Sequence, residues 1–311
     1  MKLITYSWKK NPDRDCLGIV PDLEEGILPL SEAGLSFRDM NELIEQITPE
    51  ERQQLETAFK ECSARLSQGG EIGRKERERL IPFSDIIRRS PIPRPRQDVI
   101  CLGINYAAHA EESARYNKRA FETDRRYSVY FSKRVNEAVP DMGEIPCHSD
   151  LTERLDYESE LAVIIGKDAR NVKAEDAYNY IFGYTILNDI SAREVQNLHK
   201  QWYFGKSLDG FTPMGPWIVT ADEIPAPPVL KVRSYVNGEL RQNGSTDLLL
   251  ASIGDIIEDL SSGMTLKAGS IISTGTPAGV GMGFDPPKFL SPGDVVICEI
   301  EKIGRLTNVI I

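Results

Sequence analysis

Apolar and polar positions follow two different periods along this chain, and the change of period divides it. From Met1 to Ser36, short apolar runs broken by turn residues predict strands and turns. From Phe37 to Leu66 the apolar positions Leu43, Ile44, Ile47, Leu55 and Phe59 recur at helical spacing. Thr48-Pro49-Glu50-Glu51 predicts a helix start. Threonine caps, proline suits the first turn, and the acids face the positive end of the helix dipole. Then Ser90-Pro-Ile-Pro-Arg-Pro-Arg96 sets prolines at alternate positions, which forbids a helix and predicts an extended linker. This pattern predicts a small accessory domain over residues 1–95 and a larger domain over residues 96–311.

Beyond the linker, strand patterns dominate. Strands are expected at Asp98–Gly103, Leu155–Ile165, Tyr180–Asp189, Met214–Thr220, Val229–Val236, Ser270–Thr274 and Asp294–Glu301. Asn237-Gly238 is a strong hairpin signal. Helices are expected at Asn105–Phe121 and Ser252–Ser261. Many strands with few helices predict a β-rich α+β fold and argue against a doubly wound sheet.

Composition narrows the function. The 311 residues carry a net charge of -10, which argues against a nucleic-acid partner, because that needs a basic footprint. No run approaches the roughly 20 apolar residues of a membrane span, and the N-terminus lacks a signal-peptide pattern, so a cytoplasmic protein with no membrane partner is expected. Five scattered cysteines with no CxxC pair fit reduced thiols.

The strongest chemical signal is Asp156-Tyr-Glu158-Ser-Glu160-Leu. Strand side chains alternate, so Glu158 and Glu160 share a face while Tyr157, Leu161, Val163 and Ile165 line the other. Two neighbouring carboxylates repel, and a cation relieves that cost; the same spacing also fits a solvated sheet face. Asp189 stands where the next apolar strand meets a loop. Three carboxylates without histidine or cysteine make an all-oxygen donor set, suited to Mg²⁺ or Mn²⁺, with Ca²⁺ as a substitute.

Glu112 lies one helical turn after His109 and can orient it as a general base, although an exposed ion pair has the same spacing. His148 and His199 have no comparable partner and read as surface residues. Arg193, Gln196 and Lys206 could bind a carboxylate and a keto oxygen, and Lys206 could instead form a Schiff base. The loop Thr274-Gly-Thr-Pro-Ala-Gly279-Val-Gly-Met-Gly283 lacks both the P-loop ending and the dinucleotide-binding spacing. It reads as a tight loop whose N–H groups and threonine hydroxyl approach a small ligand, or as an ordinary turn.

Five segments in order resemble the fumarylacetoacetate hydrolase family over about residues 99 to 309. They are Gly103-Ile-Asn-Tyr-xx-His109-xx-Glu112, Asp156-Tyr-Glu158-Ser-Glu160-Leu, Asn188-Asp189-Ile-Ser-Ala-Arg193-xx-Gln196, Gly205-Lys206-Ser-xx-Gly210 and Thr274-Gly-Thr276-Pro-xx-Gly-Val-Gly281. The resemblance implies a mixed β-roll or barrel catalytic domain, usually dimeric, behind a small N-terminal α+β domain. It implies Mg²⁺ or Mn²⁺ on Glu158, Glu160 and Asp189, and a His109–Glu112 dyad on a lid. Lys206, Arg193, Gln196, Thr276 and Lys133 match residues that meet the substrate. The implied reaction is hydrolysis of a C–C bond in a small 2-keto, acylpyruvate-type acid through an enolate. Decarboxylation or isomerisation of oxaloacetate-like or dienoate diacids on the same site is the alternative. Two departures bear on substrate size. Arg134 follows Lys133 where relatives often have proline, and Ser113–Arg126 is long and rich in Arg and Lys. A solvated helix face accounts for that charge; so would a cationic lid over a diacid.

Overall fold

The computed structural model describes residues 1–117 and 127–311. Lys118, Arg119, Arg125 and Arg126 of the basic segment lie outside the described residues. The fold is a β-rich α+β arrangement built on a ten-stranded sheet. Its order runs Leu28–Pro29, Asn11–Val20, Lys2–Trp8, Met214–Thr220, Ile181–Asn188, Ser159–Ile165, Ile271–Ser273, Val99–Leu102, Tyr130–Lys133, with Ile86–Arg88 also paired to Lys2–Trp8. Within it only Ile271–Ser273 and Val99–Leu102 run parallel. A second, five-stranded sheet runs Glu239–Ser245, Lys231–Val236, Val295–Ile300, Gly304–Ile310, Glu144–Ile145. The hairpin expected at Asn237-Gly238 joins its first two members.

Alternation along Ser159–Ile165 explains how the layers stack. All seven residues are buried. Leu161, Val163 and Ile165 join Tyr157 in one core, which extends to Val232, Val296, Cys298 and Ile300 of the second sheet and to Ile256, Ile257 and Leu260 of the helix Ile253–Gly263. Ala162 and Ile164 join the other core, which reaches Leu43, Ile44, Leu55, Phe59 and Leu66 of the N-terminal helices. A central strand apolar on both faces must be covered on both, and the N-terminal segment covers one of them.

The N-terminal elements follow the sequence closely. Met40–Gln46 and Pro49–Gln68 are helices, and Thr48 and Glu51 form a reciprocal capping box. The proline segment forms no helix, but it runs as a series of bends where extended backbone was expected; Pro91, Ile92 and Pro93 are buried and Thr5 Oγ donates to Pro91 O at 2.7 Å. Lys2–Trp8 pairs with Met214–Thr220, so the large sheet runs across the boundary expected at residue 95. Among the described residues no helix is long and apolar enough to cross a membrane.

Candidate active site

The site forms where a strand that begins meets a strand that ends. Ser159–Ile165 and Ile181–Asn188 are antiparallel, with Leu187 opposite Glu160 and Asn188 opposite Ser159. Asp189 follows its strand directly, and its N–H donates to Glu158 O at 2.9 Å. The expected continuous strand from Leu155 is interrupted: Leu155–Asp156 pairs separately with Ser191–Ala192, and Tyr157 and Glu158 fall in the gap. Asn188 Oδ1 holds the Glu158 N–H there at 3.0 Å. Glu158, Glu160 and Asp189 are all buried, and one ligand atom from each lies within 4.8 Å of the others.

Cations crowd this triad. Lys206 Nζ sits 2.8 Å from Glu158 Oε2 and 2.7 Å from Asp189 Oδ2. Lys133 Nζ donates to Asp189 Oδ1 at 2.5 Å and to Ile190 O at 3.1 Å, with no exposed surface. Arg193 Nε donates to Asp156 Oδ2 at 2.9 Å, and its Nη2 lies 2.7 Å from Glu158 Oε1. Burial alone would push Glu158 up; Lys206, Arg193 and His109 outweigh it and hold the carboxyl well below its usual range. Burial opposes the charge of Lys206 as well, but Asp189 and Glu158 raise its pKa overall.

Glu160 is the exception. Ser273 Oγ and Gly275 N–H donate to its Oε2 at 2.6 and 2.8 Å, but its buried Oε1 has no partner. Burial, then Asp189 and Glu158, push its pKa well above the usual carboxylate value. Four buried carboxylates (Asp156, Glu158, Glu160, Asp189) thus face three cations (Lys133, Arg193, Lys206). The leftover negative charge and the orphaned oxygen both sit where a divalent cation would be bound, so the residues fit one.

The dyad lies beside this cluster. The helix Ala107–Tyr116 carries His109, 3% exposed, and Glu112. His109 Nδ1 is 3.6 Å from Glu112 Oε2, an electrostatic contact longer than a hydrogen bond. Glu112 is fixed from the other side, accepting from Gly279 N at 2.9 and 3.1 Å. Gly279 has φ 105°, and a Cβ there would lie 2.0 Å from Arg241 O. The glycine is therefore required for the loop to reach Glu112. Asn105 ties the same helix down, donating to Thr274 O at 2.9 Å and to Ala251 O at 3.0 Å.

The other expected site residues are also here, with more partners than the sequence suggests. Gln196 accepts from Arg193 Nη1 at 3.3 Å. Thr276 Oγ donates to Ser159 O and accepts from Gln242 Nε2, at 3.0 and 2.7 Å. Gln242 and Ser273 carried no sequence signal: both lie in ordinary strands, and only the tertiary contacts bring them to the site. Asp156 was visible within the acidic run but had no evident task. His148 and His199 stay apart, against Asp209 O and the Phe204 ring. Cys101 lies behind the cluster; burial, with Asp189 and Glu160, pushes its thiol far up and leaves it a poor nucleophile.

A buried carboxylate triad with hard oxygen donors, adjoining lysines and an arginine, and a histidine–glutamate pair on a neighbouring helix form the kind of site that suits an enzyme acting on oxyanions. Residues 98–311 match the family described as fumarylacetoacetate (FAA) hydrolase, C-terminal, and the chain belongs to that family. It is 46% identical over 230 residues to the oxaloacetate tautomerase YisK of Bacillus subtilis (strain 168), which spans 74% of each chain. Among solved structures, a fumarylacetoacetate hydrolase from Exiguobacterium antarcticum is 35% identical, with TM-score 0.77 over 100% of this chain and 99% of that one. The maleylpyruvate hydrolase of Sphingobium sp. SYK-6 is 28% identical, with TM-score 0.72 and the same coverage. A 2-hydroxyhepta-2,4-diene-1,7-dioate isomerase from Mycobacterium marinum is 28% identical, with TM-score 0.67 over 100% and 98%.

Proposed function

We propose that this enzyme interconverts the keto and enol forms of a small 2-oxo diacid of the oxaloacetate type. The observation that carries this is the buried, unpartnered Glu160 Oε1 in a carboxylate cluster that a buried histidine adjoins at Glu158: one end of the site calls for a cation, and the other offers a base. The similarity to an oxaloacetate tautomerase supports the choice of substrate. Glu158, Glu160 and Asp189 would hold a Mg²⁺ or Mn²⁺ ion, which would supply Lewis-acid stabilisation of negative charge on a substrate oxygen. His109 takes the C3 proton, and Glu112, anchored by Gly279 N–H, holds the imidazole in place. Arg193 and Gln196 orient the substrate carboxylate, Lys206 donates a hydrogen bond to the oxygen that gains charge, and that oxygen takes a proton from water to give the enol as His109 returns its own to water. Lys133 acts through Asp189, whose orientation it sets.

C–C bond hydrolysis of an acylpyruvate is the second reading, favoured by the end-to-end similarity to two hydrolases. There His109 activates water against the distal carbonyl and a pyruvate enolate departs. One experiment separates the reactions. Oxaloacetate enol is supplied with Mg²⁺, its ultraviolet absorbance is followed, and pyruvate release is assayed in parallel with a panel of acylpyruvates. Accelerated enol decay without pyruvate is expected. Decay at the buffer rate with rapid acylpyruvate cleavage would replace the tautomerase reading with the hydrolytic one.

A further inference from the structure

Asp156 is the fourth carboxylate of the cluster, and it is not among the three that converge on a common point. It has no exposed surface. Its Oδ1 accepts from Gly281 N at 2.6 Å and from Tyr157 N at 2.9 Å. Its Oδ2 accepts from Met282 N at 3.1 Å and from Arg193 Nε at 2.9 Å. One side chain thus joins the glycine loop to the arginine. Gly281 is shaped to this contact, since a Cβ there would lie 2.7 Å from Asp156 Oδ1 and 2.5 Å from Lys288 O.

The arginine is divided. Arg193 Nη2 lies 2.9 Å from Asp156 Oδ2 and 2.7 Å from Glu158 Oε1, and neither contact has hydrogen-bond alignment. Its aligned bond to a carboxylate is the one from Nε to Asp156. A guanidinium facing Glu158 alone would pair with it bidentately and neutralise it. Asp156 pulls the guanidinium the other way.

We propose that Asp156 is a positioning residue: by holding Arg193 it keeps the charge of Glu158 available to a divalent cation. This rests on the reading of Glu158, Glu160 and Asp189 as metal ligands. It predicts a sign pattern that a merely structural role does not. Asp156→Asn can keep Oδ1 for Gly281 N and Tyr157 N but gives up the oxygen that accepts from Met282 N and Arg193 Nε, which frees Arg193 to close on Glu158, so Mn²⁺ affinity falls by about 10- to 100-fold, the scale of a lost outer partner. Arg193→Met removes a competing cation and tightens Mn²⁺ binding. The double variant binds more tightly than Asp156→Asn alone.

The test is calorimetric titration of Mn²⁺ into the chelator-stripped full chain, with circular dichroism to verify folding. If the wild-type chain binds no Mn²⁺, the metal reading itself fails. If it binds while Asp156→Asn matches it, the assignment of Asp156 fails. Should Asp156→Asn not fold, Arg193→Met decides alone, and weaker binding than wild type overturns the proposal.

Discussion

Glu160 is the residue on which the site's energetics turn. In chelator-treated protein the folded state keeps its proton at pH values where the unfolded chain has lost it. The sign follows directly: stability falls as pH rises from the ordinary carboxylate value, about 4.3, towards the raised one. Glu160→Gln removes the group whose proton the folded state must keep, so the stripped variant should melt higher than stripped wild type as pH rises. The gap should grow with pH as the unfolded wild-type chain loses the proton that the folded one keeps. Binding a cation must expel the same proton, so Mn²⁺ affinity should rise with pH over that window. Melting curves of both chelated proteins across about pH 5 to pH 8 check this, and parallel curves would count against it. His109 offers a cleaner kinetic readout. His109→Ala should lower turnover by about 10²-fold or more while leaving Mn²⁺ affinity nearly unchanged, since His109 is no ligand. Stopped-flow enol decay together with metal titration measures both, and wild-type turnover in that variant would remove His109 from the mechanism.

Helices and loops show which local signals can be trusted. Thr48-Pro49-Glu50-Glu51 is a self-contained cap, and the structure has the reciprocal pair at the start of Pro49–Gln68. Thr48→Ala should cost about 1 kcal/mol in thermal or denaturant unfolding and leave kcat/KM untouched, because the cap is remote from the cluster. Gly279→Ala should behave differently. Its positive φ and the 2.0 Å approach to Arg241 O force the loop to shift, at a cost of roughly 1–3 kcal/mol. That shift releases Glu112, so kcat should fall together with stability. Unchanged kcat in a destabilised Gly279→Ala would show that the loop does not hold the dyad. The acidic run is an intermediate case. Period two correctly paired Tyr157 with Leu161, Val163 and Ile165. It did not reveal the break at Tyr157 and Glu158, because that break comes from pairing with Ser191–Ala192.

At the scale of the whole molecule, the net charge of -10 repels anionic substrates, whereas Ser113–Arg126 is locally basic. Arg115, which falls within the described residues, reaches back to the glycine loop and donates to Gly283 O at 3.1 Å. If the segment pairs with a second carboxylate on the substrate, diacids should have higher kcat/KM than matched monoacids, with an advantage that shrinks as salt rises. Single neutralising changes at Arg115, Arg119 and Arg126, each assayed on both substrates at low and high ionic strength, check this. Equal kcat/KM for diacid and monoacid in wild type would leave the segment a solvated face. The molecule is also knit across its length, because strands from residues 2 to 20 extend the sheet that carries the triad.

The sequence by itself determined the β-rich α+β class, the helix cap, the hairpin, the family and the identity of the clustered residues. Each is either a short-range pattern or a set of residue types whose chemistry is legible one at a time. Glu158, Glu160 and Asp189 could be named because neighbouring carboxylates on one strand face repel unless a cation joins them, and Lys206 because its motif matches the family's. Only the tertiary structure decided how those charges are shared. Lys133, expected to meet substrate, lies wholly buried on Asp189, and the Thr276 hydroxyl is already held by Ser159 and Gln242. Asp156 competes with Glu158 for one arginine, and Glu160 is left over. The physical reason is range: periodicity reports which face a side chain takes, whereas partner choice between buried charges depends on distances of a few ångströms between segments far apart in the chain.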